Sequence, residues 1–228
     1  MAGDALIGRN RFGLYHIPAA VQSRPAARAV LAGRVFEPDT IDFMRANCGD
    51  GDIIHAGTFF GDFLPGLSAG MAKGAKVWAF EPNPGSFAAA QQTVTLNDLG
   101  NVELQNSAVS DRAGELLFQT HRKDGSPMGG VSRVVEAPGQ GVSAVGSVML
   151  DYAVPTARKV SILQLDVEGH EKSALQGAYH IINLWQPILV LEYFEQARWI
   201  SRTFRNLKYR AVGKVHGNHV YATGPVDI

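Results

Sequence analysis

Cysteine is nearly absent from this sequence, which has Cys48 alone among its 228 residues. A single thiol cannot form an internal disulfide or a metal site built from several cysteines, and such scarcity is typical of chains that fold in a reducing compartment. We therefore expect a cytoplasmic protein in which Cys48 is a small buried side chain.

Long apolar runs are also lacking, and none approaches the ~20 residues that a membrane-spanning helix needs. The N-terminal segment MAGDALIGRN does not place a basic stretch before a long apolar one, as a secretion signal does. Both observations predict a protein that is neither exported nor associated with a membrane.

An excess of either charge is missing as well, because Lys plus Arg and Asp plus Glu each number 21. Nucleic acid attracts chains with a net positive charge, so this balance predicts a small-molecule partner instead. The length, with 46% hydrophobic and 18% charged residues, suits one compact domain of ordinary core size.

The chain divides into an irregular start and a regular remainder. Residues 1–38 have scattered glycine and proline around the helical stretch AARAVLAG, and we predict an N-terminal arm that packs on the core. Residues 39–228 are predicted to form the main domain, with Asp39 as the N-cap of its first helix. Residues 124–147 are loose in composition and predict a long loop that shapes a ligand pocket or closes it as a lid.

Short apolar runs of strand length alternate with amphipathic segments of helical length in the main domain. The predicted strands are DIIHA (52–56), KVWAF (76–80), NVELQ (101–105), VSILQLD (160–166) and PILVLE (187–192). This alternation favours an α/β fold with a parallel sheet and helices on both faces. Near the end, KYRAVGKVH and HVYATG flank a Gly-Asn turn, which predicts a C-terminal antiparallel hairpin.

The first predicted strand runs into Gly57 and Gly61, which let the backbone turn tightly and come close to a ligand. Glu81 ends the next strand, where a carboxylate can accept both hydroxyls of an adenosine ribose. These features suit either NAD or S-adenosylmethionine, and the glycine spacing does not decide between them.

Several motifs occur together in a recognisable order. They are HAGTFFGDF, VWAFEPNPGSF, LNDLGNVELQNSAVSD, VMLDY and ILQLDVEGHEKSALQGA. Over about residues 35–225 the sequence thereby resembles the FkbM-type methyltransferases, S-adenosylmethionine-dependent enzymes that methylate hydroxyl groups of sugars and polyketides. The resemblance implies a Rossmann-like class I methyltransferase fold, with a seven-stranded, mostly parallel sheet and a C-terminal antiparallel hairpin.

The same resemblance implies where S-adenosylmethionine binds. The expected cofactor-binding residues are His55, Gly57, Thr58, Phe59, Gly61, Glu81, Pro82, Asn83, Ser107, Ala108 and Asp166. His55 stands where the family usually has an aspartate that helps to hold the amino-acid end of the cofactor. Either His55 is a neutral, hydrogen-bonded residue at the strand end, or another carboxylate such as Glu37 or Asp62 takes over that contact.

Methyl transfer to a hydroxyl requires an in-line approach and a base that removes the proton. In the stretch 166–171, Asp166 is expected to line the pocket, Glu168 to anchor a substrate hydroxyl and His170 to act as the general base. The alternative for His170 is a structural place in the first turn of a helix. Glu192 is expected to face the acceptor, and no spacing typical of a metal site is present, so we predict no metal.

The predicted function is therefore S-adenosylmethionine-dependent O-methylation of a small hydroxylated acceptor, such as a sugar or a polyketide-type metabolite. Two alternatives stay open: a protein of the same fold that binds the cofactor without turnover, and an N-methyltransferase, which would not need the base. His216 and His219 flank the terminal hairpin turn, which we expect at the edge of the sheet away from the ligand. A homodimer and a monomer are both compatible with the sequence.

Overall fold

The structure is a computed structural model that describes residues 4–194 and 196–228. Its strands are β1 (Leu6–Asn10), β2 (Gly13–Ile17), β3 (Asp52–Ala56), β4 (Val77–Phe80), β5 (Val102–Gln105), β6 (Ala108–Val109), β7 (Gly114–Gln119), β8 (Arg133–Val134), β9 (Val142–Val148), β10 (Val160–Leu165), β11 (Ile188–Glu192), β12 (Arg210–Val215) and β13 (Asn218–Ala222). Its helices are α1 (Pro25–Leu31), α2 (Pro38–Asn47), α3 (Leu64–Ser68), α4 (Pro84–Leu96), α5 (Leu150–Ala153), α6 (Glu171–Gln176), α7 (Tyr179–Trp185) and α8 (Ala197–Thr203). Short 3-10 helices cover Ala19–Val21 and Gly129–Val131.

Seven strands form the central sheet in the order β12-β13-β11-β10-β3-β4-β5. All of its pairings are parallel except those of β13, which runs antiparallel to both of its neighbours. The chain winds outward from β3 in one direction and from β10 in the other, so the winding reverses between these two strands. In open α/β sheets this reversal creates a crevice at the carboxyl ends of the strands.

Helices cover both faces of the sheet, because the central strands are apolar on both sides. One apolar cluster contains Ile41, Met44, Leu64 and Leu67 from α2 and α3 against Ile53 and Val77 of the sheet. The opposite cluster contains Leu150, Leu175, Ile182 and Ile200, from α5 to α8, against Leu163 and Leu189. Among the described residues, no helix combines the length and apolarity needed to cross a membrane.

The edge of the sheet opposite the crevice is held by Asp52, which is 2% exposed at the start of β3. Its carboxylate accepts hydrogen bonds from Arg158 Nε at 2.7 Å and from Trp78 Nε1 at 2.7 Å. The backbone N–H of Lys76 donates to the same carboxylate at 2.8 Å. A buried carboxylate with a cation and two further donors ties β3, β4 and the start of β10 together.

The described part of the N-terminal segment is ordered into β1, β2 and α1. The hairpin docks on α4 through Asn97, whose side chain accepts from Leu14 N at 2.8 Å and donates to Leu14 O at 2.7 Å. Helix α2 begins at Pro38, with Glu37 as its N-cap in a left-handed conformation, so the predicted Asp39 cap was wrong. Proline suits the first helical position because its missing N–H would have no intrahelical partner there.

Residues 124–147 are not one loop as the sequence predicted. Strand β9 pairs antiparallel with β7, and with β6 and β8 they form a second, four-stranded sheet. Its inner side packs Leu116, Phe118 and Val145 against Ala108. Three of the seven residues of β9 are glycine or serine. Its buried and exposed positions therefore do not appear in the sequence as an alternation of apolar and polar residues.

The amphipathic segment after β10 forms two helices, α6 and α7, separated at Gly177 and Ala178. A Cβ on Gly177 would lie 1.8 Å from the carbonyl oxygen of Ser110, so the chain is pressed against the end of β6 here. Asp151 then accepts from the backbone N–H groups of His180 and Ile181, both at 2.9 Å, and so caps the start of α7.

Candidate active site

At the reversal of winding, the backbone of Gly57, after β3, lies directly against that of Asp166, after β10. The Asp166 N–H donates to Ala56 O at 3.0 Å, which brings the two strand ends together. Gly57 has φ +90°, and a Cβ there would lie 1.9 Å from the Asp166 carbonyl oxygen. Only glycine fits this crossing without a shift of the backbone.

Glu81 stands beside this crossing, at the end of β4, and is 6% exposed. Its Oε2 accepts from the Phe59 N–H at 2.7 Å and its Oε1 from the Asn83 N–H at 2.8 Å. Burial raises the pKa of Glu81 from 4.5 to about 7, although the two backbone N–H donors lower it. Each carboxylate oxygen can accept a second hydrogen bond, so the group is held in place with capacity left for a ligand.

One part of the crevice, here called the apolar compartment, has a volume of about 500 Å³ including space open to solvent. Its walls include Ala56, Phe80, Glu81, Ser107, Ala108, Phe118, Val134 and His170. Ser107 is 3% exposed, and its Oγ has no hydrogen-bond partner among the described residues. A buried hydroxyl without a partner costs free energy, so a ligand that bonds to it is favoured.

The adjoining part, here called the acidic compartment, has a volume of about 940 Å³ including space open to solvent. Its ionisable walls are Arg24, Glu37, His55, Asp62, Asp166 and Glu192. Burial raises the pKa of Asp62 from 3.8 to about 7 and also raises that of Glu37. Four carboxylates against one guanidinium favour a ligand that carries positive charge.

His55 is 3% exposed, stacks on Phe63 with ring centroids 5.3 Å apart, and hydrogen-bonds through Nδ1 to Gln164 Oε1. Burial lowers its pKa from 6.5 to about 4, so the ring is neutral at pH 7. Its Nε2 is buried without a partner among the described residues. His55 is thus a neutral, hydrogen-bonded residue that shares the compartment with the carboxylates of Glu37 and Asp62, and a contact of those carboxylates with the cofactor stays a prediction.

Asp166, Glu168 and Glu192 bring carboxylate oxygens within 4.8 Å of one another. Burial and then the hydrogen bond to Glu192 raise the pKa of Asp166 well above its ordinary value. Burial and the charge of Glu192 raise the pKa of Glu168 from 4.5 to about 7. Glu168 has φ +53°, a left-handed conformation that costs a non-glycine residue energy and is enriched at functional sites.

This acid cluster can accept a proton from a bound group near neutral pH, because its members resist full ionisation together. Three carboxylates are also ligands of the type that Mg²⁺ and Ca²⁺ take. The expectation of no metal therefore stays a prediction.

His170 belongs to the apolar compartment and not to the walls of the acidic one. Its Nε2 lies 2.9 Å from Ser110 Oγ, and burial lowers its pKa below 6.5. The structure thus separates His170 from Glu192, although the sequence grouped both around the acceptor.

The other predicted residues divide by position. Gly57, Phe59, Glu81, Pro82, Ser107, Ala108 and Asp166 line the apolar compartment. Thr58, Gly61 and Asn83 support it from outside: Thr58 donates to His55 O, Gly61 packs on Leu64 and Thr93, and Asn83 caps α4 by accepting from Gly85 N at 2.9 Å. Glu168 lines a shallower pocket with Arg133.

Residues that the sequence did not single out complete the crevice. The second sheet and its loops supply Phe118, Gly129, Gly130, Ser132 and Val134. For Gly129, Gly130, Ser132 and Val134 the sequence signal was the expectation that residues 124–147 shape a pocket, and Phe118 had none. Arg24 and Phe36 come from the N-terminal segment, which was expected to pack on the core.

The terminal hairpin turn lies at the ligand edge of the sheet, so its predicted place at the opposite edge was wrong. Because β13 runs antiparallel, it starts at Asn218 directly opposite Glu192. Asn218 Nδ2 donates to Glu37 Oε2 at 3.2 Å, and His216 Nε2 lies 3.7 Å from Glu37 Oε1.

A sequence profile described as the methyltransferase FkbM domain matches residues 47–211. The fold is similar to that of the FkbM methyltransferase from Methylobacillus flagellatus KT, with a TM-score of 0.52 and 16% identity over 76% of this chain and 43% of that one. It is also similar to M. jannaschii TYW2 in complex with AdoMet, with a TM-score of 0.52 and 14% identity over 97% and 86% of the two chains. This chain thus spans less than half of the M. flagellatus protein. No curated protein matches the sequence.

Proposed function

Because the chain belongs to the FkbM methyltransferase family, we propose that it transfers a methyl group from S-adenosylmethionine to a hydroxyl group of a small molecule, such as a sugar or a polyketide-type metabolite. The observation that carries the cofactor assignment is Glu81. A buried carboxylate, fixed by two backbone N–H groups, faces the compartment that Ser107 and Asp166 also line.

The residues present suit such a cofactor. The apolar compartment can take a flat nucleobase, and Glu81 can accept hydrogen bonds from both ribose hydroxyls. The acidic compartment suits the α-ammonium group at the other end, with Glu37 and Asp62 in the place of the aspartate that His55 replaces. Ser107 Oγ, Asp166 Oδ1 and His55 Nε2, which are buried without partners among the described residues, would then have groups to bond.

The cofactor supplies an electrophilic methyl group on its sulfonium. The chain then has two tasks, which are to hold the acceptor hydroxyl in line and to take its proton. We assign the second task to the acid cluster of Asp166, Glu168 and Glu192, because Glu168, with a pKa of about 7, is partly ionised at neutral pH. The described walls of the acidic compartment would repel a phosphate backbone, which supports a small acceptor rather than nucleic acid.

One observation favours a second acceptor chemistry. The surplus of carboxylates in the acidic compartment attracts cations, so an amine is a candidate for the methylated group. A panel of hydroxylated acceptors with and without an amino group, scored by mass spectrometry for a gain of one methyl group and by the site of that gain, separates O-methylation from N-methylation.

Calorimetry with S-adenosylhomocysteine tests the cofactor assignment without an acceptor. We expect binding to the wild type, a loss of at least tenfold in affinity for Glu81→Ala, and no change for Glu103→Gln, which removes an exposed carboxylate paired with Lys76. Heat with NAD and none with S-adenosylhomocysteine would make a dehydrogenase the better assignment. Binding of S-adenosylhomocysteine without turnover of any acceptor would instead support a non-catalytic role.

A further inference from the structure

Three polar side chains form a continuous path from solvent to the apolar compartment. Asp111 is exposed, Ser110 is 1% exposed and His170 lines the compartment. Ser110 Oγ lies 3.1 Å from Asp111 Oδ1 and 2.9 Å from His170 Nε2. None of the three contacts Glu81 through a hydrogen bond, and the proposed function gives Ser110 and Asp111 no task.

The direction of the hydrogen bonds along this path follows from the number of protons. An ionised carboxylate only accepts, so the single hydroxyl proton of Ser110 is donated to Asp111. The oxygen of Ser110 must then accept from His170, whose Nε2 therefore carries a proton. Because burial lowers the pKa of His170, the ring is neutral at pH 7 and its Nδ1 is left with a lone pair.

The path is held in a rigid frame. The backbone N–H of Ser110 donates to Val148 O at 2.9 Å, which fixes it at the end of β6. On its other side, a Cβ on Gly177 would lie 1.8 Å from Ser110 O, so the two backbones are in direct contact. His170 itself is the N-cap of α6. A hydroxyl fixed in this way sets the tautomer of the imidazole that it faces.

The remaining nitrogen of His170 has no protein partner. Within residues 4–194 and 196–228, the ring makes one hydrogen bond, through Nε2 to Ser110. Ala108, Phe118 and Val134 give the compartment that His170 lines an apolar wall, and Ser107 Oγ, without a partner among the described residues, lies there too. An acceptor lone pair in such surroundings selects a ligand with an N–H or O–H donor at the matching position.

We propose that Asp111 and Ser110 are positioning residues that hold His170 as its Nε2-protonated tautomer, so that its Nδ1 accepts a hydrogen bond from the 6-amino group of the cofactor's adenine. This inference rests on the proposed function. A 6-oxo base has an acceptor at that position and leaves two lone pairs facing each other, so the site rejects it.

The test compares S-adenosylhomocysteine with S-inosylhomocysteine, which differs by an oxo group in place of the amino group. By calorimetry, the wild type is expected to bind the adenosyl compound about tenfold to a hundredfold more tightly. Ser110→Ala frees the ring to change tautomer, and the preference is expected to fall to about threefold or less. Ser110→Thr keeps the hydroxyl and restores the preference, which separates positioning from a simple packing defect.

Asp111→Asn gives an independent variant at an exposed position. Its amide can donate to Ser110, which then donates its own proton to Nε2 and moves the ring proton to Nδ1. We expect this variant to bind the inosyl compound better than the wild type does. The ¹⁵N shifts of the His170 ring, measured without any ligand, report the tautomer directly.

A wild type protonated at Nδ1, or a preference that survives in both Ser110→Ala and Asp111→Asn while S-adenosylhomocysteine still binds, would overturn the inference and leave the proposed function intact. A wild type that binds neither compound would overturn both.

Discussion

Carboxylate oxygens of Asp166 and Glu192 lie within 4.8 Å of each other at the ends of the neighbouring strands β10 and β11. Two carboxyl groups this close favour a state in which one of them carries a proton, because two ionised carboxylates repel each other. The parallel register that pairs Leu165 with Leu191 brings them together. The sheet itself therefore builds a site that holds a proton at the point where the acceptor is proposed to bind.

This pair makes the stability of the ligand-free protein depend on pH. A carboxyl whose pKa is raised by folding stabilises the fold at low pH, and that contribution is lost as the pH rises towards the raised pKa. Burial, and after it Glu192, raises the pKa of both Asp166 and Glu168, the latter to about 7. We expect Glu192→Gln to reduce the loss of unfolding free energy between about pH 5 and 8, as measured by urea denaturation.

The exposed strand residue Glu115 supplies the control, since Glu115→Gln should leave the pH profile of the wild type unchanged. The contribution of His55 to stability changes with pH in the opposite sense, because it rises between the pKa of about 4 in the folded protein and the ordinary 6.5. This contribution is the same in the wild type and in both variants. Parallel profiles for Glu192→Gln and the wild type would contradict the proton shared by Asp166 and Glu192.

Cofactor binding should depend on pH in the reverse direction. Glu81 has a pKa of about 7 in the ligand-free protein, and only its ionised form accepts both ribose hydroxyls. We expect the affinity for S-adenosylhomocysteine to fall about tenfold between pH 8 and 6, because binding must then remove a proton. In Glu81→Gln the affinity for S-adenosylhomocysteine should be weak, and the part of its pH dependence that comes from Glu81 should be absent. Calorimetry at three pH values checks both, and equal slopes for the two proteins would rule out Glu81 as the titrating group.

The sequence predicted the parts of the fold that are buried on both sides. β3 matches DIIHA at both ends, because all five of its residues are buried and the β-branched Ile53 and Ile54 stand at its centre. The strand-end residues Gly57, Glu81 and Asp166 were found for the same reason, since each directly follows such a run. Ser107 followed from the resemblance to the family.

Features that depend on pairing between distant segments could not be predicted in this way. β9 contains two serines and a glycine, and only its pairing with β7 reveals it. The place of Asn218 depends on the pairing of β13 with β11, which the local sequence does not encode, although it predicted the hairpin itself. Likewise, the contact of Ser110 with His170 joins residues 60 positions apart.

The opposite edge of the sheet allows stability to be changed separately from binding. Arg158 donates to the buried carboxylate of Asp52 through Nε at 2.7 Å and Nη2 at 2.5 Å. Arg158→Ala leaves that carboxylate without its cation, and we expect a loss of about 2 to 4 kcal/mol in unfolding free energy. The affinity for S-adenosylhomocysteine should not change, because Asp52 lies at the other end of β3.

The neighbouring Lys159 is a matched control, because its ion pair with Asp50 is exposed. Lys159→Ala should lower the unfolding free energy in a urea titration far less than Arg158→Ala does, because exposed ion pairs contribute little. Similar losses for both variants would mean that the Asp52 network contributes nothing beyond an ordinary surface ion pair.

The crossing of Gly57 and Asp166 offers the sharpest test of the crevice. Gly57→Ala must accommodate a Cβ 1.9 Å from the Asp166 carbonyl oxygen as well as a φ of +90°. Gly74 has a similar φ of +87°, but a Cβ there meets no described atom within 4 Å. Gly74→Ala therefore measures the backbone strain alone, about 1 to 2 kcal/mol. We expect Gly57→Ala to lose several kcal/mol more in urea denaturation, because β3 and β10 must move apart. It should also lose S-adenosylhomocysteine binding, which Gly74→Ala should keep. If both variants bind equally well, the close approach of the two strand ends is not what shapes the cofactor site.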